Sequence, residues 1–484
     1  MIKSDVILIG SGISALTSAL LLAMKGKKVT VLEQYVKPGG YMHSFRRFDE
    51  TFDTGAHYVG SLGERQPFRI LLDSMGIYDE QLFAPLNPEG FDVFHFPNGK
   101  VQFPQGNANL IEELGASFPA HRPAIAKYFA LVQNVVRFFP TYHYSDSSEM
   151  NFPPEALELS LKQVVESLTD HAPLKSVFYA YCNLHGVYPE DVAFGFHAIV
   201  TDSLIEGPYG LNGGGEVLTQ HKVTSLEVTD RQITKVVTQN GAEFSADWVI
   251  SILHPKATFR LLSDQSSLPP VFKDRLKNLK ESMGIFGLYA TCNKRPPTDP
   301  ARNYYFFKST DPAAMFLPNQ PGEAPAVVFM SSPKRHWGPQ EKNFPVSLHA
   351  PAPYEWFAPW RDDKYGRRSQ GYKDMKHKVQ NSITSLVDRF EPGMSDGLDR
   401  TLTSTPLTHL HFNGIEEGSS YGLYHSIQNT GARALGPRTK VLNLLLTGQN
   451  CLFPGLLGAA TSALRTCGHV VGIKPILQEL KAMR

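Results

Sequence analysis

Cysteine is scarce in this chain: Cys182, Cys292, Cys451 and Cys467 are spread over 484 residues with no C-x-x-C pair. That spacing argues against a disulfide framework and a cysteine-based zinc site, and points to reduced thiols in a cytosol-like compartment. Charge of one sign is also missing. Lys and Arg number 47 against 46 Asp and Glu, a net of +1, so no basic face is offered to nucleic acid. No run of about 18 apolar residues occurs, which removes the usual signal for a spanning helix. Met1 leads straight into an apolar strand, so no secretory leader is expected and a cytoplasmic location follows. Internal repeats and low-complexity tracts are absent too. What remains is an ordinary globular balance, 42% hydrophobic and 19% charged, with length for roughly two to four domains. The 30 Phe and 19 Tyr are read first as core.

The amino-terminal residues carry the strongest pattern. Asp5-Val-Ile-Leu-Ile9 has the length and apolarity of a buried parallel strand. It runs into Gly10-Ser11-Gly12-Ile13-Ser14-Ala15, a G-x-G-x-x-A turn, and then into a helical stretch over Leu16 to Lys25. A second strand, Lys28 to Leu32, ends at Glu33, 21 residues beyond Gly12. Each part has a physical task in binding a dinucleotide. Gly10 makes the tight turn, Gly12 lets backbone approach a pyrophosphate at the helix N-terminus, and Ala15 lets the helix pack on the strand. Glu33 accepts hydrogen bonds from a ribose.

Pro38-Gly39-Gly40-Tyr41 follows closely. At this point the sequence resembles the FAD-dependent amine oxidase and phytoene desaturase superfamily, in which the ribose acid is followed by a Gly-Gly pair that reaches the cofactor. The resemblance implies FAD, with Glu33, Gln34, Gly39, Gly40 and Tyr41 in its shell. Near the other end Val441 to Gly448 reads as a strand entering a glycine turn, followed by a helix over Leu456 to Val471. This looks like the superfamily's C-terminal flavin motif and brings in Gly448, Gln449 and Leu457. Asn450 stands where many relatives carry Asp, and an amide there can still bond a ribityl hydroxyl. The stretch from Glu216 to Ile252 reads as a β-meander with a turn at Asn240-Gly241. In the superfamily the position matching Val223 touches adenine.

Two further segments narrow the likeness. Phe52-Asp-Thr-Gly-Ala-His-Tyr-Val-Gly60 and Ser420-Tyr-Gly-Leu-Tyr-His425 resemble the retinol saturase and carotenoid isomerase branch, whose substrates are polyenes and related lipids. The implied fold is α/β: a Rossmann-type FAD-binding domain (1–62, 206–260 and 406–484) interleaved with an α+β substrate-binding domain (63–205 and 261–405). Where that branch has a helix, Gly207 to Gly215 crosses with five glycines and is expected to form a loop. An insoluble lipid substrate implies peripheral membrane contact, with Phe138 to Tyr142 and Trp356 to Trp360 as candidate aromatic patches. Amine oxidation and a non-catalytic lipid escort are the alternatives on this fold. The flavin motifs at both ends and the Phe52–Gly60 segment favour a polyene enzyme.

Flavin carries the redox chemistry, so the protein must position a carbon chain and handle a proton. The expected proton donors are His57, Tyr58, Tyr421 and His425, the polar groups flanking the ring. An imidazole with an ordinary pKa of about 6.5 would exchange a proton near neutrality. Asp53 is expected to hold its own turn. His185 and His197 are separated by about three helical turns and by Pro189, so no metal pair is expected.

Overall fold

The computed structural model describes residues 1–139, 144, 154–211, 219–266, 268–316, 320–430 and 433–483. Strand Ile2–Ile9 is the organising element. Val6, Ile7 and Leu8 are fully buried because the strand is paired in parallel on both edges, with Val29–Leu32 and with Glu243–Ser251. A continuous apolar run is what such a doubly covered strand requires. Helix Ile13–Met24 crosses between the first two strands, completing the βαβ unit read from sequence.

The meander is present as Val223–Thr229, Gln232–Thr238 and Glu243–Ser251. Its last strand is long enough to share one edge. Phe244 and Glu243 pair with the meander, whereas Val249, Ile250 and Ser251 pair in parallel with Leu444–Leu446. The carboxy-terminal strand is thus three residues long, shorter than expected. Just before it, the Asn443 side chain accepts from the Ile233 N–H at 2.7 Å and donates to the Ile233 carbonyl at 2.9 Å, while its backbone carbonyl accepts from the Val249 N–H at 2.9 Å. Helix Gly455–Val471 then packs against helix Ile13–Met24. Small buried residues, Ser14, Ala15 and Ser18 on one and Ala459, Ala460 and Ala463 on the other, allow the close approach. Helices near opposite ends of the sequence are joined in this way.

A seven-stranded sheet forms the second layer, in the order Leu398–Ser404, Ile285–Cys292, Phe344–Pro351, Val327–Ser331, Asn303–Phe307, Asp92–Phe96 and Gly99–Phe103. Helices Arg122–Val136 and Phe194–Ile205 pack together beside it. The segment between the sheets, 54–62, is clamped by backbone contacts. Ser61 N–H donates to the Ser203 carbonyl at 2.8 Å, and Val59 and Tyr209 exchange two bonds of 2.8 Å. A Cβ at Gly60 would overlap the Ser203 carbonyl, so only glycine permits this approach.

Part of the glycine-rich crossing differs from the loop expected. Tyr209–Leu211 is a short strand paired antiparallel with Phe83–Pro85, because Val59 supplies a second backbone edge. Gly213, Gly214 and Gly215 lie outside the described residues. Phe139 and Phe357 are buried, and Trp356 and Trp360 lean on the core of the second sheet; residues 140–142 of the other aromatic segment lie outside the described set. Among the described residues no helix is long and apolar enough to cross a membrane.

Candidate functional site

The two layers enclose a cavity of about 620 Å³. At one end it is lined by Gly10, Ser11, Gly12, Ile13, Ser14, Glu33, Gln34, Gly39, Gly40, Tyr41, Val223, Gly448, Gln449 and Leu457. Of the residues expected around a cofactor, Ala15 alone does not line it, being fully buried under the helix it lets pack.

The glycines make a cradle. Gly10, Gly39 and Gly40 have φ of +94°, +111° and +56°, a region that disfavours other residues. Gly39 N–H donates to the Ser11 carbonyl at 3.1 Å, and a Cβ at Gly40 would lie 3.3 Å from the Gly12 Cα. The two glycine turns therefore stack directly on each other. Gly448 joins them, its N–H held by Ser462 Oγ at 2.7 Å. Glu33 stiffens the first turn: one carboxylate oxygen accepts from the Ser11 N–H at 2.9 Å and hydroxyl at 2.6 Å, the other from the Tyr35 N–H at 2.8 Å.

Helices Ile13–Met24 and Gly455–Val471 both start at the cavity wall, with no side-chain cap and no acid in the first turn. Their free N–H groups and positive dipole ends face one enclosed space. A glycine cradle that a Cβ would crowd, open helix ends and a ribose-type acid together fit a dinucleotide with a pyrophosphate.

At the other end of the cavity stand His57, Tyr58 and Tyr421 with Phe329, Tyr305 and His349. His57 packs its ring 4.3 Å from His349. Burial, with the Arg335 cation adding to it, drives the His57 pKa down to about 3. The ring is neutral across physiological pH, so the near-neutral exchange expected from its ordinary pKa does not operate in the chain as it stands. Tyr421 donates its hydroxyl to the Asn183 carbonyl at 2.8 Å, and burial pushes its pKa up. His425 is not on the cavity wall: it stacks on Phe196, 5.4 Å between centroids, and burial lowers it to about 4.

Burial pushes the Asp53 pKa up to about 7, with Arg335 opposing the shift. Arg335 donates to the His57 carbonyl and to Asn303 Oδ1 at 3.3 Å, and burial lowers its pKa to about 10. Neither Arg335 nor Asp92 was legible as a site residue. Asp92 offered one signal, an acid opening the largely apolar strand Asp92–Phe96. Arg335 offered none, since it lies in the irregular connection between strands Val327–Ser331 and Phe344–Pro351, and its partners His57 and Asn303 come from other segments.

His185 and His197, placed three helical turns apart by sequence, meet. The chain reverses after His185, and its Nε2 lies 3.1 Å from His197 Nδ1, with Cys182 Sγ 3.9 Å from the same nitrogen. The three ligand atoms are close enough for an ion. The Val187 N–H, however, donates to His185 Nδ1 at 3.3 Å, which leaves Nε2 carrying the proton. That nitrogen is wired as a donor to His197 instead of a metal ligand.

Known proteins resemble this chain in sequence and in fold. The NAD(P)-binding Rossmann-like domain family matches residues 8–74. The all-trans-retinol 13,14-reductase of Danio rerio is 27% identical over 522 residues, covering 96% of this chain and 86% of that protein. A chloroplastic prolycopene isomerase of an Oncidium hybrid cultivar is 24% identical, covering 96% and 83%. The crystal structure of an oxidoreductase from Methanosarcina mazei superposes with a TM-score of 0.65 at 14% identity, covering 96% and 99% of the two chains. The α/β class with a Rossmann-type unit is therefore the one observed. The likeness to the retinol saturase and carotenoid isomerase branch extends over nearly the whole chain.

Proposed function

We propose that this protein binds FAD and acts as an oxidoreductase or isomerase on carbon–carbon double bonds of a polyene or isoprenoid lipid. The observation that carries the reading is one continuous cavity, with a dinucleotide-type glycine cradle at one end and an aromatic wall at the other. Gly10, Gly12 and the first turn of helix Ile13–Met24 hold the pyrophosphate, Glu33 the adenosine ribose, and Val223 packs near the adenine. Gly448, Gln449 and the start of helix Gly455–Val471 hold the flavin half. A bound flavin supplies hydride or single-electron chemistry. The chain's own task is to align a rigid polyene between Phe329, Tyr58 and Tyr421, exclude water and manage one proton.

The test is reconstitution with FAD, a visible spectrum, and incubation of the dithionite-reduced holoenzyme with all-trans-retinol and with prolycopene under argon. Bound flavin and a shortened or rearranged chromophore in one polyene are expected. Bound flavin with both polyenes unchanged would overturn the substrate class, and no bound flavin would overturn the cofactor. Glu33→Ala is expected to weaken FAD by about 1–3 kcal/mol, the worth of a lost charged acceptor. Titration of the apoprotein with FAD, followed by flavin fluorescence, measures this directly.

A further inference from the structure

Behind the wall that carries Tyr58 lies a carboxyl with no part in cofactor binding. Asp92, at the start of strand Asp92–Phe96, is fully buried. Its Oδ1 accepts from Asn303 Nδ2 at 3.0 Å. Its Oδ2 accepts from the Tyr181 hydroxyl at 2.8 Å and from the Tyr58 hydroxyl at 3.3 Å. Tyr58 is in turn 2.7 Å from the Tyr305 hydroxyl. Tyr58 and Tyr305 line the cavity, whereas Asp92 does not. The chain thus leads from a fully buried carboxyl, through one phenol, to the space a polyene would occupy.

We propose that Asp92 and Tyr58 form a proton relay into the cavity, with Tyr58 the group that protonates the substrate carbon and Asp92 the positioning residue that restores its proton. The proposal rests on the polyene reading above, for the reducing direction. A bound flavin, once reduced by a two-electron donor such as dithionite, would supply the hydride that adds to one carbon of the double bond. The Tyr58 O–H breaks and its proton bonds to the other carbon. The Asp92 carboxyl proton passes to the Tyr58 oxygen, and the carboxylate regains a proton from water between turnovers. The carbon–carbon bond gains two electrons and two hydrogens, and the flavin loses the two electrons.

The surroundings suit this role. Burial raises the Asp92 pKa to about 7, opposed by hydrogen bonds from Asn303, Tyr181 and Tyr58 and by the Arg335 charge. The groups facing it are therefore Tyr58, Tyr181, Tyr305, Asn303 and Arg335. A carboxyl poised there holds its proton for part of the time at neutral pH, where an ordinary one would have lost it. Burial raises Tyr58 well above its usual range, so the phenol keeps its proton until a strong acceptor forms beside it. Tyr305, sharing the 2.7 Å bond, steadies the oxygen as that proton leaves.

The experiment compares wild type, Asp92→Asn, Tyr58→Phe and Asp53→Asn as FAD holoenzymes, each checked for flavin content. Reduction of all-trans-retinol is followed from pH 5 to 9. The wild-type rate should fall as pH rises through about 7. Asp92→Asn and Tyr58→Phe should be about 100-fold slower, and Asp92→Asn should lose that pH limb. A second readout needs no turnover: infrared difference spectra between pH 5 and 9 should show a deuterium-sensitive carboxylic acid band. Asp53→Asn should retain the Asp92 part of that band, and Asp92→Asn should lose it. Asp92→Asn with the wild-type rate and pH profile, or with an unchanged infrared band, would overturn the relay. If wild type reduces no polyene, the functional reading fails, while the infrared band still decides whether Asp92 carries the proton.

Discussion

Gly12→Val should give a folded, colourless protein. Gly12 has φ of −64°, which any residue adopts, and a Cβ there meets only Ile252 Cδ1 at 3.1 Å. The side chain that must yield is a flexible apolar one. What the valine fills is the floor of the cradle, beside Gly40 and the first turn of helix Ile13–Met24, where backbone must approach phosphate. Gly10→Val is the contrasting case. Its φ is +94° and its Cβ would lie 2.6 Å from Ile252 Cγ1, so loss of the fold itself is expected. Flavin absorbance after reconstitution separates the two, with circular dichroism as the check on folding. Gly12→Val should also lose the stabilisation FAD adds by mass action, about 2.7 kcal/mol at a ligand excess of 100 Kd. A yellow, fully loaded Gly12→Val protein would exclude the cradle as the pyrophosphate site.

Arg335→Leu should be strongly destabilising, and more so in alkali. The guanidinium bonds the His57 carbonyl and Asn303, and its charge offsets two buried carboxyls, Asp53 and Asp92. Removing one member of a buried charge group costs about 3–5 kcal/mol. The sign of the pH dependence follows from both carboxyls being raised, from 3.8 to about 7. Their stability contribution is complete below the unfolded value and is lost as pH rises through the folded one. Without Arg335 the folded values climb further, so the loss continues to higher pH. Urea melts should therefore show a larger gap between variant and wild type at pH 9 than at pH 5. An equal gap at both would mean that the carboxyls are not held by this cation.

These two predictions draw on different kinds of information. The cradle was legible because its requirements are local: a strand, a glycine turn, a helix and an acid follow one another within 33 residues, and each states its own geometry. The meander was legible for the same reason, from alternation and an Asn-Gly turn. The shortness of the strand at Leu444–Leu446 was not, because its pairing is with Val249 to Ser251, far away in sequence. The strand Tyr209–Leu211 likewise exists only because Val59 and Phe83–Pro85 present free edges to it.

The proton-handling end was read least well. His57 looked like a titrating group, since nothing in a sequence reports desolvation; the folded chain buries it beside Arg335 and holds it neutral. His185 and His197 looked separate and are joined by a turn. Asp92, Tyr58, Tyr305 and Arg335 come from four segments and acquire a common chemistry only when the second sheet aligns Asn303 with Asp92. The sequence by itself determined the dinucleotide fold and the class of molecule it resembles, because short-range backbone geometry is written in consecutive residues. Tertiary structure alone decided which side chains hold protons, because pKa is set by burial and by charges that only folding brings within a few ångströms.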